Sequence, residues 1–152
     1  MRKRQEGFTL IELLAVIIIL AIIALIAIPT ITGLINKSRE SAAKDSAYGY
    51  VDAIEKLAIQ NMLNPGNDYD LPTGTWTVGS NGATITSGSN SLNVSFKGDA
   101  PEGSSGVVYV SNNTVCCVSL TFNGKTVVGD PTKSLTINSS GNACTACYTS
   151  GS

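Results

Sequence analysis

Three residues near the amino terminus have types and spacing that could carry chemistry. Gly7 precedes the aromatic residue Phe8, and this junction ahead of an apolar run predicts a proteolytic cleavage site. Glu12 is a carboxylate inside that run, and no polar side chain occurs over positions 13–28. A charge near the centre of a bilayer helix costs on the order of 2.5–3.5 kcal/mol, so such residues usually have a partner and a function. We therefore expect Glu12 to form a pair, the alternative being that it snorkels to the membrane surface.

The apolar run around Glu12 is long enough to cross a membrane. It begins at Phe8 and is closed by Pro29, and about 20 such residues cover roughly 30 Å of hydrocarbon as a helix. Basic residues at positions 2, 3 and 4 are expected to stay cytoplasmic. The part of the chain that follows the apolar run is therefore expected on the outer side of the membrane. An ordinary secretory signal peptide is an alternative, but the run is long and no Ala-x-Ala site follows it.

These residues resemble a known family. The segment 7–14 reads Gly-Phe-Thr-Leu-Ile-Glu-Leu-Leu after a basic leader, which is similar to the start of type IV pilins and pseudopilins. The resemblance implies cleavage after Gly7, N-methylation of Phe8, and pairing of Glu12 with the new terminal amine of a neighbouring subunit. Pro29 matches the proline that ends the family's apolar segment and is assigned to assembly with Glu12. Many pilins have a glycine midway along the span, which this chain lacks.

The resemblance implies a structural function. The chain would be a single-pass prepilin of the bacterial cell membrane that polymerises into an extracellular type IV pilus used for motility, adhesion or DNA uptake. Its expected partners are identical or related pilin subunits, prepilin peptidase, the membrane and the pilus assembly machinery. Two alternatives remain open, namely a pseudopilin of a type II secretion or DNA-uptake system and an uncleaved membrane-anchored binding module.

Charge and composition argue against other classes of function. The chain has 10 basic and 11 acidic residues, and loss of the leader over 1–7 removes three positive charges and one negative, leaving −3. We expect no direct nucleic-acid binding by a single subunit with that balance. With no histidine and no phosphate-binding loop, we expect no enzyme activity and no cofactor. Asn67, Asp68 and Asp70 resemble calcium ligands, but such residues are usual in turns, and we expect no metal.

A second helical pattern follows the apolar run. Its apolar residues recur at helical spacing and predict one buried stripe made of Ala43, Ala47, Tyr50, Val51, Ile54, Leu57 and Ala58. Asn64-Pro65-Gly66 is a strong stop, so we expect one helix over about 8–62. The predicted organisation is a leader over 1–7, a transmembrane and assembly helix over 8–29, an amphipathic helix over 30–63 and an extracellular β-sheet domain over 64–152.

The remainder has the composition of strands and turns, rich in Gly, Ser, Thr and Asn. The strands are expected at Thr75–Val78, Ala83–Ile85, Leu92–Phe96, Val107–Ser111, Thr114–Phe122, Lys125–Val128 and Leu135–Ile137. Asn123-Gly124 predicts a type I′ hairpin that sets Leu120 opposite Val127, and Asn112-Asn113 is a weaker turn signal. One face of the fifth strand should pack on the helix through Cys116, Val118, Leu120 and Phe122. The predicted fold class is α+β and pilin-like, with a long N-terminal helix packed on an antiparallel sheet.

Four cysteines lie in this region, at Cys116, Cys117, Cys144 and Cys147. An exported body permits disulfides, and four cysteines allow three pairings that the sequence alone does not resolve. Neighbours in a strand point to opposite faces, so we favour cross-pairing of the first two with the last two. Related pilins often have a disulfide that ties down this end. Free thiols and a zinc site are alternatives, although adjacent cysteines do not have zinc-ligand spacing.

Overall fold

The structure is a computed structural model that describes residues 7–63, 71–102 and 106–137. The chain divides into two units, Met1–Ser38 and Arg39–Ser152. The first contains the apolar part of a long helix. The second contains the rest of that helix and a β-sheet.

The helix α1 spans Leu10–Leu63, close to the predicted range. Thr9 is its N-cap, because its carbonyl accepts the backbone N–H groups of Glu12 and Leu13 at 3.1 and 3.3 Å. Over positions 7–38, every residue is exposed except Ala27, which is half-buried. Among the described residues, α1 is the one helix long and apolar enough to cross a membrane, judged by length and composition.

Pro29 lies inside α1 and does not end it. Proline has no backbone N–H, so the carbonyl four residues earlier loses its usual helical partner. Two neighbouring threonines bond to backbone carbonyls here: the Thr30 hydroxyl donates to Ala27 at 2.8 Å, and the Thr32 hydroxyl donates to Pro29 at 3.0 Å. The helix therefore continues through the proline, and the hydroxyls of the two threonines bond to backbone carbonyls beside it.

Seven strands form one antiparallel sheet in the order β3-β2-β1-β4-β5-β6-β7. They are β1 (Gly74–Val78), β2 (Thr84–Ser87), β3 (Asn90–Asn93), β4 (Val107–Ser111), β5 (Thr114–Phe122), β6 (Lys125–Asp130) and β7 (Ser134–Ile137). The predicted α+β class, a long N-terminal helix with an antiparallel sheet, is confirmed.

Both predicted two-residue turns are confirmed. Asn112 and Asn113 have φ values of 49° and 61°, and Asn123 and Gly124 have values of 50° and 71°. Positive φ at both central residues is what a type I′ hairpin requires. The predicted register across the second turn is also confirmed, with Leu120 opposite Val127 and Thr121 opposite Thr126.

The prediction for β3 was shifted. The sequence favoured 92–96, whereas the paired strand is Asn90–Asn93. The apolar residues that follow it contribute to the core instead of the ladder: Val94 is buried, and the Phe96 ring meets Tyr50 edge-on at a centroid distance of 5.1 Å. Burial therefore explains the apolar pattern over 94–96, and strand pairing does not.

The hydrophobic core of the second unit lies between α1 and one face of the sheet. The predicted helical stripe is confirmed for six residues: Ala43, Ala47, Tyr50, Val51, Ile54 and Ala58. Leu57, the seventh, is only half-buried. Trp76 is the largest fully buried side chain of the sheet, and its indole N–H donates to the Pro72 carbonyl at 3.1 Å. Burial of these apolar side chains is the main force that holds helix and sheet together.

A β-bulge interrupts the pairing of β4 with β5. Tyr109 pairs with Cys117, but its neighbour Val110 pairs with Val115, which leaves Cys116 as an extra residue. An extra residue resets the alternation of side chains between the two faces of a strand. The sequence gives no local signal for this bulge.

The bulge overturns one prediction about the core face. Val118, Leu120 and Phe122 belong to the core cluster as expected, but Cys116 does not and is half-buried. Val115 joins the cluster in its place, although it is an odd number of residues from Val118. The prediction was wrong for Cys116 because it assumed unbroken alternation along β5.

Polar side chains of α1 also bond to the sheet and its loops. These contacts are Tyr50 Oη to the Gly82 carbonyl at 2.7 Å, the Leu135 N–H to Tyr48 Oη at 3.1 Å, the Val115 N–H to Glu55 Oε1 at 3.1 Å, and Lys125 Nζ to Glu40 Oε1 at 3.3 Å. Burial raises the pKa of the Tyr50 hydroxyl, which keeps it protonated as a donor. These bonds fix the position of the helix on the sheet more narrowly than apolar packing alone.

Candidate functional site

The residues around Glu12 form a reciprocal cap at the start of α1. The Thr9 backbone N–H and hydroxyl both donate to Glu12 Oε2 at 2.8 Å. In return, the Glu12 N–H donates to Thr9 Oγ1 at 3.4 Å and to the Thr9 carbonyl at 3.1 Å. This is the capping box that a Thr-x-x-Glu sequence can form. We did not predict this cap from the sequence, although the Thr9-x-x-Glu12 spacing is its signal.

The cap occupies only one oxygen of the carboxylate. Among the residues that the structure describes, no hydrogen bond to Glu12 Oε1 is found. Glu12 is exposed, as are the apolar residues that follow it along the first unit. A negative charge also suits this position because the N-terminal end of a helix has a partial positive charge. The carboxylate is therefore held by its own helix through Oε2.

The predicted cleavage junction is open to solvent. Gly7, Phe8 and Thr9 lie before α1 and outside regular secondary structure. The Phe8 side chain is 91% exposed, and nothing lies within 4 Å of the position that a Gly7 side chain would occupy. Hydrolysis of the bond between Gly7 and Phe8 would leave a primary amine directly before Thr9, at the positive end of α1. Neither the cut nor the amine is part of the structure, and both remain predictions.

Most of the residues in the cysteine and metal predictions lie outside the described part of the chain. Cys116 and Cys117 lie in β5, whereas Cys144 and Cys147 lie outside the described residues, so the predicted pairing is not tested. The residues considered for calcium, Asn67, Asp68 and Asp70, also lie outside them. Over 7–63, 71–102 and 106–137, no group of three or more His, Cys, Asp or Glu side chains could hold a metal ion.

One comparison with known proteins gave a match. Residues 2–28 match the family model described as the prokaryotic N-terminal methylation motif. Comparisons with curated proteins and with solved structures gave no significant match. The matched residues include the basic leader, the Gly7–Phe8 junction, Glu12 and most of the apolar span. The matched amino-terminal segment is consistent with a prepilin of the type IV pilin or pseudopilin kind, and the apolar helix supports membrane anchoring.

Proposed function

We propose that this chain is a structural subunit of a type IV pilus. It is inserted in the bacterial membrane, cut after Gly7 by prepilin peptidase, N-methylated at Phe8 and polymerised into a surface filament. The observation that carries the proposal is the exposed Gly7–Phe8 junction directly before an exposed apolar helix, within the segment that matches the methylation motif.

The first unit has an exposed apolar surface that must be buried against lipid or protein. Apolar side chains on all sides of α1 over 10–28 are exposed, and they include Leu10, Ile11, Leu13, Ile17, Leu20 and Ile28. A helix that is apolar all round is stable in a membrane or in the interior of an assembly. Lipid covers this surface before assembly, and the same helices of other subunits cover it in the filament.

Glu12 selects how those helices align. In a helix that continues to Phe8 after the cut, residues 8 and 12 are about 6 Å apart along the axis, so a neighbour displaced by about one turn brings its Phe8 amine to this carboxylate. Opposite charges attract more strongly at the low dielectric of a helix bundle than in water. A buried carboxylate left without a partner is costly, so the pair favours one axial displacement over others. Thr9 donates its hydrogen bonds to Glu12 Oε2, and Oε1 is the oxygen that accepts a hydrogen bond from the Phe8 amine of the neighbour.

Pro29 provides a point where the helix can lengthen. The proline interrupts the backbone hydrogen bonds of α1, so extension of the helix there breaks fewer bonds than elsewhere. We assign this position to the assembly step, in which a subunit leaves lipid for the filament.

Two disulfides are proposed for the exported body. They join Cys116 and Cys117 to Cys144 and Cys147, and they hold the C-terminal segment on the sheet. Closing a loop of about 15–30 residues can stabilise a fold by roughly 3 kcal/mol. The bulge at Cys116 supports this proposal because it removes that residue from the core face.

Blocking the cut tests the proposed processing. Gly7→Val places a branched side chain at the junction and should leave a membrane-inserted chain with Met1 or the leader retained and no filaments. Gly33→Ala is the matched control, because nothing lies within 4 Å of that position either. N-terminal peptide mapping of the control should find methylated Phe8. A mature wild-type chain that begins after Ile28 would contradict the proposal.

A further inference from the structure

The turn between β5 and β6 contains a chemically fragile pair, Asn123-Gly124. Asparagine before glycine is prone to deamidation, since glycine has no side chain to hinder the reaction. In that reaction the backbone nitrogen of the glycine attacks the side-chain carbonyl carbon of the asparagine. A nitrogen–carbon bond forms, ammonia leaves with the proton of the attacking nitrogen, and water then opens the cyclic imide to aspartate or isoaspartate. Both residues of the turn are exposed.

Two carboxylates hold the two nitrogens that take part in this reaction. The Gly124 N–H donates to Glu102 Oε2 at 3.1 Å, and Asn123 Nδ2 donates to Asp99 Oδ2 at 3.1 Å. The carboxylates come from a loop that is itself fixed to the sheet, because the Glu102 N–H donates to the Thr121 carbonyl at 2.7 Å. We call Asp99 and Glu102 the clasp.

We propose that the clasp protects Asn123 from deamidation. The Gly124 nitrogen must lose its proton before it can attack, and a carboxylate beside it disfavours the resulting negative charge. The hydrogen bond to Glu102 must also be broken, and bonds to charged acceptors are the stronger kind. Asp99 holds the side-chain amide through its nitrogen and so limits the rotation that brings its carbon toward Gly124.

The same geometry makes the modification damaging if it occurs. Aspartate at position 123 presents a carboxylate to Asp99 where the amide donated a hydrogen bond, and like charges repel. Isoaspartate adds an atom to the main chain of a two-residue turn whose geometry sets the register of β5 on β6. Deamidation of Asn123 is therefore expected to open this hairpin.

Incubation of the full-length protein in detergent tests the clasp. Peptide mass spectrometry follows the conversion of amide to acid at Asn123 and at Asn81, the other asparagine that precedes glycine in this sequence. Asn81 is a reference within the same chain because the Gly82 N–H donates to the Gly79 carbonyl at 2.9 Å and not to the clasp. Glu102→Ala should raise the conversion of Asn123 roughly tenfold, the scale of one lost bond to a charged group, and leave Asn81 unchanged.

Glu102→Gln separates charge from hydrogen bonding. Glutamine retains an acceptor oxygen without the charge, so Asn123 should convert at a rate between those of the wild type and Glu102→Ala. Slower or unchanged conversion of Asn123 in Glu102→Ala would overturn the proposal, because the carboxylate would then act as a base or have no effect. Equal acceleration at Asn81 would also overturn it, since Glu102 would then stabilise the whole body and not this turn.

Discussion

The two oxygens of the Glu12 carboxylate have different surroundings. Oε2 accepts two bonds from Thr9 and closes the start of α1, while Oε1 has no hydrogen bond within the described residues. The cap fixes the position of the Glu12 carboxylate, so a cationic partner would bind it in one geometry. Such preorganisation lowers the entropic cost of forming the pair.

Glu12→Val should leave membrane insertion and cleavage intact and greatly reduce filaments. Valine removes the charge that we propose pairs with the Phe8 amine, and each 1.4 kcal/mol of lost pairing is about a factor of ten in an association constant. We expect filament yield to fall at least about tenfold. Glu12→Asp should be intermediate because its shorter side chain stretches the pair. Immunoblots of cleaved subunit against sheared filament measure both, and normal filaments from Glu12→Val would show that the charge does not direct assembly.

Thr9→Val should weaken assembly less than Glu12→Val. Valine has the same shape as threonine but loses the hydroxyl bond to Oε2, and loss of an N-cap side chain typically costs about 0.5–2 kcal/mol. Thr9→Ser retains the hydroxyl and should restore wild-type filament yield. If valine and serine give the same yield as threonine, the cap plays no part in positioning Glu12.

Glu55→Ala should destabilise the second unit by about 1–3 kcal/mol, since the partly buried Val115 N–H loses its acceptor beside the bulge. Asp52→Ala is the matched control on the same helix: Asp52 is exposed and, within the described residues, its ion pair is with Lys56, so the change should cost about 0–1 kcal/mol. Denaturant unfolding of the full-length chain in detergent measures both changes. Equal unfolding midpoints for the two variants would show that the hydrogen bond to Glu55 stabilises the fold no more than the exposed ion pair of Asp52.

At the scale of elements, what the sequence predicted well was local. The two hairpin turns and the register of β5 on β6 follow from Asn112-Asn113 and Asn123-Gly124, because positive φ is a property of those few residues. The stripe of α1 follows from helical spacing. The hydrogen bond from the Val115 N–H to Glu55 joins residues 60 positions apart, so no local pattern indicates it. The bulge at Cys116 lies within the hairpin of β4 and β5, but no residue type there indicates it.

The cysteine pairing is a prediction about how the end of the chain is held. Non-reducing peptide mapping of the exported protein should find disulfides that join β5 peptides with Cys116 and Cys117 to peptides with Cys144 and Cys147. Reduction should lower stability by roughly 3 kcal/mol for each loop of about 15–30 residues. Four alkylatable thiols in native protein would contradict the pairing, and stoichiometric zinc would favour the metal site instead.

At the scale of the whole molecule, the two units have opposite relations to solvent. Arg39–Ser152 contains a closed apolar core, whereas the apolar helix residues of Met1–Ser38 are almost all exposed. The sequence predicted this contrast, because an apolar run without a polar face and an amphipathic stripe are distinct patterns. In the proposed function, lipid or other copies of the chain cover the first unit, and the sequence of one chain does not determine which of them does.

Mass spectrometry of sheared surface filaments tests the central claim most directly. Filaments from cells that produce this chain should contain it as a repeated subunit that begins at N-methylated Phe8. A strain that lacks the chain, complemented with Glu12→Val, provides the control, with processed subunit in the membrane and far less of it in the sheared fraction than in the wild type. Filaments that lack the chain, or a chain that stays in the membrane with its leader attached, would contradict the account.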